Sequence, residues 1–255
     1  MKAIVLAGGY ATRLRPLTDR VAKPLLPVGG RPLVDWILER IEQIPEVDGV
    51  HVVTNSRFAA DFERWVAGRP VEVHDDGTTS NRTRLGAIGD VRLVVERAGL
   101  QGDDLLVVAG DNLFDTSLAA FVGWWRGREG GSALGLYDVG DLALARSYGV
   151  VELDDDDRVV AMVEKPDEPR STLAATATYL YRREHVPLLE RYLAEGNSPD
   201  QPGRFVVWLH TRVPVYGYRF EGEWIDIGDP GQLLEADNRL RERVGLPVRA
   251  EYALE

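Results

Sequence analysis

Apolar residues in this chain fall into short runs, some interrupted by single polar residues, that alternate with stretches where they recur every three or four positions. Ala3 to Ala7, Val50 to Thr54, Val71 to His74 and Leu105 to Ala109 have the length and composition of buried strands. Between them, Pro32 to Ile44 predicts a helix with Leu33, Ile37, Ile41 and Ile44 on one face and Pro32 near the first turn. Ala59 to Ala67 predicts another. Leu85 to Ala98 is a third, weakened by Gly86 and Gly89 at about 1 kcal/mol each. Strands alternating with helices in this way predict βαβ units and an α/β fold around a mainly parallel sheet.

The second half is richer in strands, at Ala133 to Val139, Val150 to Leu153, Val159 to Glu164, Ala174 to Tyr181 and Val215 to Phe220. Gln232 to Arg243 is a closing helix. Asp154, Asp155, Asp156, Asp157 and Arg158 form a hairpin tip, read as a solvated turn whose like charges repel. No repeat and no Pro/Gly/Ser-rich linker divides the chain, so residues 1–255 are expected to form a single domain.

The strand at Ala3 to Ala7 ends in Gly8 and Gly9, and Thr12, Arg13, Arg15 and Lys23 follow, with no acidic residue before Asp19. A strand that runs into a glycine turn presents bare backbone N–H groups at the carboxyl edge of a sheet, where an anion is held. Nearby cations complete a phosphate site.

Composition narrows the field. The net charge is −11, and no basic patch or stripe is visible, which argues against a nucleic-acid partner. Cysteine is absent, so disulfides and thiolate metal sites are excluded. The four histidines, His51, His74, His185 and His210, show no metal-ligand spacing. No apolar run approaches the roughly 20 residues of a membrane helix, and the five apolar residues after Lys2 are too few for a signal-peptide core. A soluble cytoplasmic protein without a membrane partner is expected. Only three lysines occur, and two of them, Lys23 and Lys165, stand directly before prolines. An ammonium is a compact charge that follows a moving phosphoryl group, so these two positions are candidates for chemistry.

Leu6-Ala7-Gly8-Gly9-Tyr10-Ala11-Thr12-Arg13-Leu14, followed by Ala22-Lys23-Pro24-Leu25-Leu26-Pro27, resembles the N-terminal signature of the sugar-phosphate nucleotidyltransferases. The likeness continues through Gly110-Asp111-Asn112, Tyr148-Gly149-Val150-Val151-Glu152, Glu164-Lys165-Pro166 and Trp224-Ile225-Asp226-Ile227-Gly228. The resemblance implies a Rossmann-like three-layer sandwich with a mixed, mainly parallel central sheet. It also implies a nucleotide-binding half of about residues 1–130 and a sugar-phosphate half of about 131–230, with the closing helix at about 230–243. The implied reaction joins a nucleoside triphosphate and a sugar 1-phosphate, and releases pyrophosphate.

By the same resemblance, Leu6, Ala7, Gly8, Gly9, Asn81, Gly86 and Asp111 attend the nucleotide. Arg13 belongs on the leaving phosphates and Lys23 on the phosphate under attack, while Arg15 could equally be a surface cation. Asp111 and Asp226 would hold Mg²⁺. Gly149, Glu164, Lys165 and Ala177 would form the sugar-phosphate site, and Trp224 fits either that site or the core. No nucleophilic side chain is required, because a phosphomonoester with its second pKa near about 6 arrives as an oxyanion.

Two departures bear on this reading. Ala11 stands where relatives often have glycine, and Ala177 stands at a glycine position of the thymidylyltransferases, where its methyl would crowd a sugar hydroxyl. The segment Thr79 to Gly86 lacks the base-reading glutamine of those enzymes and offers Asn81 instead. The pattern leans toward dTTP or UTP. A cytidylyltransferase for a non-sugar phosphate and a catalytically silent nucleotide-binding regulator are the rival readings. The family is often dimeric or tetrameric, so a homo-oligomer is compatible with the chain.

Overall fold

Alternate residues of the first strand, β1 (Lys2–Ala7), feed opposite faces: Ile4 joins one core, while Ala3, Val5 and Ala7 join the other. The structure, a computed structural model, describes residues 1–254. After β1 come the two-residue strands β2 (Pro27–Val28) and β3 (Arg31–Pro32), then α1 (Leu33–Glu42), β4 (Gly49–Thr54) and α2 (Ala59–Val66). Next are β5 (Val71–Asp75), α3 (Ala87–Ala98), β6 (Leu105–Ala109), β7 (Asn112–Phe114) and α4 (Leu118–Arg126). The strand-rich part holds β8 (Ser132–Asp138), α5 (Leu142–Ala145), β9 (Gly149–Leu153), β10 (Val159–Glu164) and β11 (Leu173–Tyr181). Helices α6 (Leu188–Ala194) and α7 (Pro202–Leu209), strands β12 (Val215–Arg219) and β13 (Trp224–Asp226), and α8 (Pro230–Arg243) follow.

The central sheet has nine strands and is mixed. On one side, β5, β4, β1 and β6 run parallel; β11 then pairs antiparallel with β6 and β8, and β12 lies parallel to β8. Helices α1, α2 and α4 cover one face through Ile37, Phe62 and Phe121, and α3, α6 and α7 cover the other through Val94, Tyr192 and Phe205. The chain therefore has the expected three-layer α/β architecture. It moves outward from β1 through β4 to β5 and then returns to the other side of β1 as β6. Such a reversal opens a crevice at the carboxyl ends of β1 and β6, where ligands of doubly wound sheets bind.

Among the described residues, no helix is long and apolar enough to cross a membrane. The third helix starts two residues later than the periodicity predicts, because Gly86 adopts φ +81° and breaks it there. Helix α4 escaped the sequence reading. Its inward stripe of Leu118, Phe121, Val122 and Trp125 is masked by Ala119 and Trp124 on other faces, and Ser117 Oγ accepts from the Ala120 N–H to start it. The aspartate-rich tip is also more structured than expected. Asp157 accepts from Arg128 and Arg219, each at 2.9 Å, so one of its four carboxylates is neutralised rather than merely solvated.

Candidate active site

Three glycines at the crevice, Gly8, Gly86 and Gly110, are explained by close approach. Gly110 donates its N–H to the Leu6 carbonyl at 2.8 Å, and a Cβ at that position would lie 2.7 Å from the same oxygen. Only glycine lets the end of β6 come this near β1. At Gly8 a Cβ would meet Asp90 Oδ2 at 2.6 Å, so the turn after β1 presses on the first turns of α3. A Cβ on Gly86 would strike the Pro199 carbonyl at 2.6 Å, where residues 199 and 200 accept from the N–H groups that open α3.

Asp111 emerges between β6 and β7, and the β7–β13 ribbon brings Asp226 opposite Asn112, one residue away. Lys23 Nζ donates to Asp111 Oδ2 at 2.7 Å, Asn112 Nδ2 donates to Asp111 Oδ1 at 2.9 Å, and Trp224 Nε1 donates to Asn112 Oδ1 at 2.6 Å. Both oxygens of Asp111 are thereby fixed. Burial alone would raise its pKa, but the Lys23 ammonium and the Asn112 amide more than offset this and hold it below the usual range. Asp226 goes the other way: burial and the like charge of Asp111 push it up to about 6, against the pull of Lys23 and Arg13.

Two carboxylates forced together, one with its pKa raised by the other, are a donor set in want of a second cation. Oxygen ligands from one or two aspartates, completed by phosphates and water, are what Mg²⁺ requires, and the pair fits that ion. Lys23 is thus a partner for Asp111 that the sequence did not reveal.

On the facing wall, Gly149 of β9 pairs with Glu164 of β10. A Cβ at Gly149 would meet Glu164 Oε2 at 2.9 Å, and one at Gly203 would meet it at 2.3 Å, so two glycines make room for this carboxylate. Burial raises the Glu164 pKa against Lys165 and Arg204. The Lys165 side chain and the Arg13 guanidinium make no hydrogen bond or ion pair among the described residues, and each is free to take an anion. Lys165 (φ +51°), Ala177 (φ +51°) and Ala11 (φ +40°) are all left-handed. Non-glycine residues in that region cost about 1–2 kcal/mol each, and such strain gathers at functional sites. The two alanines therefore occupy glycine-like backbone positions, and at Ala177 this coincides with a register shift in β11.

A single cleft, about 1220 Å³ including its open mouth, collects most of the expected residues. Leu6, Gly8, Gly9, Arg13, Gly86 and Asp111 line it together with Gly149, Glu164, Lys165, Ala177 and Asp226. Ala7 and Lys23 line an adjoining hollow that shares Arg13 and Asp111. Asn81 is not brought in. It sits in an exposed turn, where Arg84 donates to its backbone carbonyl at 2.8 Å. Arg15 is on the surface beside Asp19 at 3.2 Å. Trp224 lines the cleft and stacks edge-on to Tyr148 with ring centroids 5.0 Å apart.

Sequence reasoning missed Asp90, which faces the cleft from α3 with one buried, unpartnered oxygen. Burial and nearby Asp76 push its pKa up to about 7. No motif marks it, since a carboxylate on a helix ordinarily reads as solvated.

Comparison with known proteins agrees with this fold. The "Bifunctional protein GlmU" of Methanocaldococcus jannaschii is 24% identical over 98% of this chain, and the chain spans only 57% of that relative. A "UTP--glucose-1-phosphate uridylyltransferase" of Synechocystis is 28% identical over 89% of the chain, which spans 60% of it. Other relatives carry names for adenylyl and guanyl transfer. A solved structure from Bacillus anthracis that carries the name of a glucose-1-phosphate thymidylyltransferase superposes with a TM-score of 0.80 at 23% identity, covering 95% of this chain and 96% of that one. The nucleotidyl transferase family model matches residues 2–243, and the chain belongs to that family.

Proposed function

We propose that this chain joins a nucleoside triphosphate, dTTP or UTP, to a hexose 1-phosphate, releasing pyrophosphate and forming a nucleoside-diphosphate sugar. The observation that carries the reading is the convergence of two uncommitted cations, Arg13 and Lys165, on one cleft with Asp111 and Asp226, where both cations act on the Asp226 carboxyl. Two anions must be aligned there, and neither can approach without neutralisation. Arg13 holds the β and γ phosphates that leave, Lys23 reaches the α phosphate, and Lys165 holds the sugar phosphate. Glu164 accepts from sugar hydroxyls, and Gly149 lets the ring approach the backbone.

In the reaction, an oxygen of the sugar phosphate forms a bond to the α phosphorus while the bond from that phosphorus to the bridging oxygen breaks. The pair of electrons leaves with pyrophosphate. No proton has to be removed from the nucleophile, which fits a cleft without histidine. Mg²⁺ held by Asp111 and Asp226 would supply charge neutralisation at the phosphate oxygens. The pyrimidine preference is supported by the Gly110-Asp111-Asn112 and Tyr148 to Glu152 motifs. Pyrophosphate release across a panel of triphosphates and sugar 1-phosphates tests the proposal.

A further inference from the structure

Away from the cleft, three metal-ligating side chains meet on the rim of the sheet. Strands β4 and β5 are parallel, with His51 opposite Glu72 and Val53 opposite His74. Alternate positions share a face, so Glu72 and His74 stand side by side with His51 next to both. β5 is the edge strand, which leaves the group reachable from outside. His51 and His74 are buried, whereas the Glu72 side chain is 61% exposed and open to solvent.

The two imidazole nitrogens face each other, and each also faces one oxygen of the Glu72 carboxylate. His51 Nδ1 lies 3.1 Å from His74 Nε2, Glu72 Oε2 lies 3.5 Å from His51 Nδ1, and Glu72 Oε1 lies 3.6 Å from His74 Nε2. Ligands about 2.0–2.1 Å from a tetrahedral zinc ion stand about 3.4 Å from one another, so these donors are spaced for an ion without moving a ring. A hydrogen bond between the histidines accounts for the shortest of these distances. It does not account for a carboxylate that closes on the same two nitrogens.

We propose that His51, His74 and Glu72 bind Zn²⁺ or a similar divalent transition ion, at a site separate from Asp111 and Asp226. Two imidazoles and one carboxylate are the donor set of borderline ions, whereas Mg²⁺ prefers oxygen alone. Three protein ligands leave a fourth position for water. Burial lowers the pKa of both imidazoles, against the pull of Glu72, and keeps them in the neutral form that binds metal. Lys2 and Arg97 add to that effect, and Asp103 near His51 opposes it. A bound ion would tie the edge strand to β4. It would also steady the segment after β5, where Thr78 meets the Tyr10 hydroxyl at 3.1 Å beside the nucleotide half of the cleft.

The test uses the full chain, stripped with a chelator, dialysed and titrated with Co²⁺ and then Zn²⁺. One Co²⁺ per chain should bind with the intense visible absorption of a tetrahedral nitrogen-ligated ion, and Zn²⁺ should displace it and raise the melting temperature. The signal should persist in Asp111→Asn and vanish in His74→Gln. In Glu72→Gln, Co²⁺ affinity should fall by more than the roughly 10–100-fold that loss of an outer-shell partner costs. Glu72 is on the surface, so an unchanged metal-free melting temperature separates loss of binding from loss of fold. Absence of the cobalt band in the wild-type chain would overturn the proposal. So would binding of wild-type strength by Glu72→Gln or His74→Gln, or loss confined to Asp111→Asn.

Discussion

Lys23 Nζ and Asp111 Oδ2 stand 2.7 Å apart across 88 residues of sequence, so the ammonium proposed to reach the α phosphate already neutralises a proposed metal ligand. Substrate binding must redistribute this pair. Lys23→Ala leaves Asp111 and Asp226 facing each other with no buried ammonium, and should cost about 1–3 kcal/mol of stability. It should also lower kcat by about 10²–10³-fold, as loss of a preorganised transition-state cation does. Thermal melts with and without Mg²⁺ give a second readout, because the ion should restore stability in the variant more than in the wild type.

Lys165 is uncommitted, lines the cleft and is the cation proposed for the sugar phosphate. Lys165→Ala should therefore raise the KM for the sugar 1-phosphate by at least about tenfold while changing that for the triphosphate little. Initial rates with each substrate varied in turn check this. Indistinguishable profiles for the Lys23 and Lys165 variants would contradict the division of labour.

Asp90 carries a pH signature. Its carboxyl is raised to about 7 in the folded chain, by burial and by Asp76, while the unfolded chain releases the proton near the ordinary value of about 4. Between those two values the unfolded state is relieved of a proton that the folded state retains, so stability falls as pH rises from about 4 to about 7 and is level above. Asp90→Asn lacks this loss. It should match the wild type near pH 4 and exceed it at pH 8 by up to about 4 kcal/mol in denaturant melts. A gap that stays constant across the window would refute the assignment.

Ala177 pairs a strained backbone with a place in the cleft, at the proposed sugar site. Ala177→Gly should stabilise the chain by about 0.5–1 kcal/mol, since relief of the left-handed alanine outweighs the added freedom of the unfolded chain. It should also widen the range of hexose 1-phosphates accepted. A sugar profile that does not change would remove the steric part of the argument and leave the strain.

The sheet was legible because β1 and β6 are buried on both faces and read as near-continuous apolar runs, and β4 does so apart from His51. That Gly8, Gly9 and Arg13 would line a cleft was legible because a glycine turn after such a strand opens at the carboxyl edge of the sheet. Contacts that depend on strand pairing were not. His51 and His74 have no ligand spacing along the chain, and only the register of β4 against β5 brings them together. Asp90 was hidden for a related reason, since nothing in the helical pattern shows that its face is turned to Gly8. Asn81 is the reverse case: a polar loop residue reads as a base contact, and the structure holds it in an exposed turn that does not line the cleft.

The most direct measurement is pyrophosphate release by the purified chain with Mg²⁺, each of the common nucleoside triphosphates and a set of hexose 1-phosphates. The account predicts release that needs both substrates, is abolished by excess EDTA and by Asp111→Asn, and is fastest with dTTP or UTP and a gluco-configured 1-phosphate. Release confined to purine triphosphates would contradict the nucleotide assignment. No release with any sugar 1-phosphate, from a chain that binds nucleotide, would contradict the reaction itself.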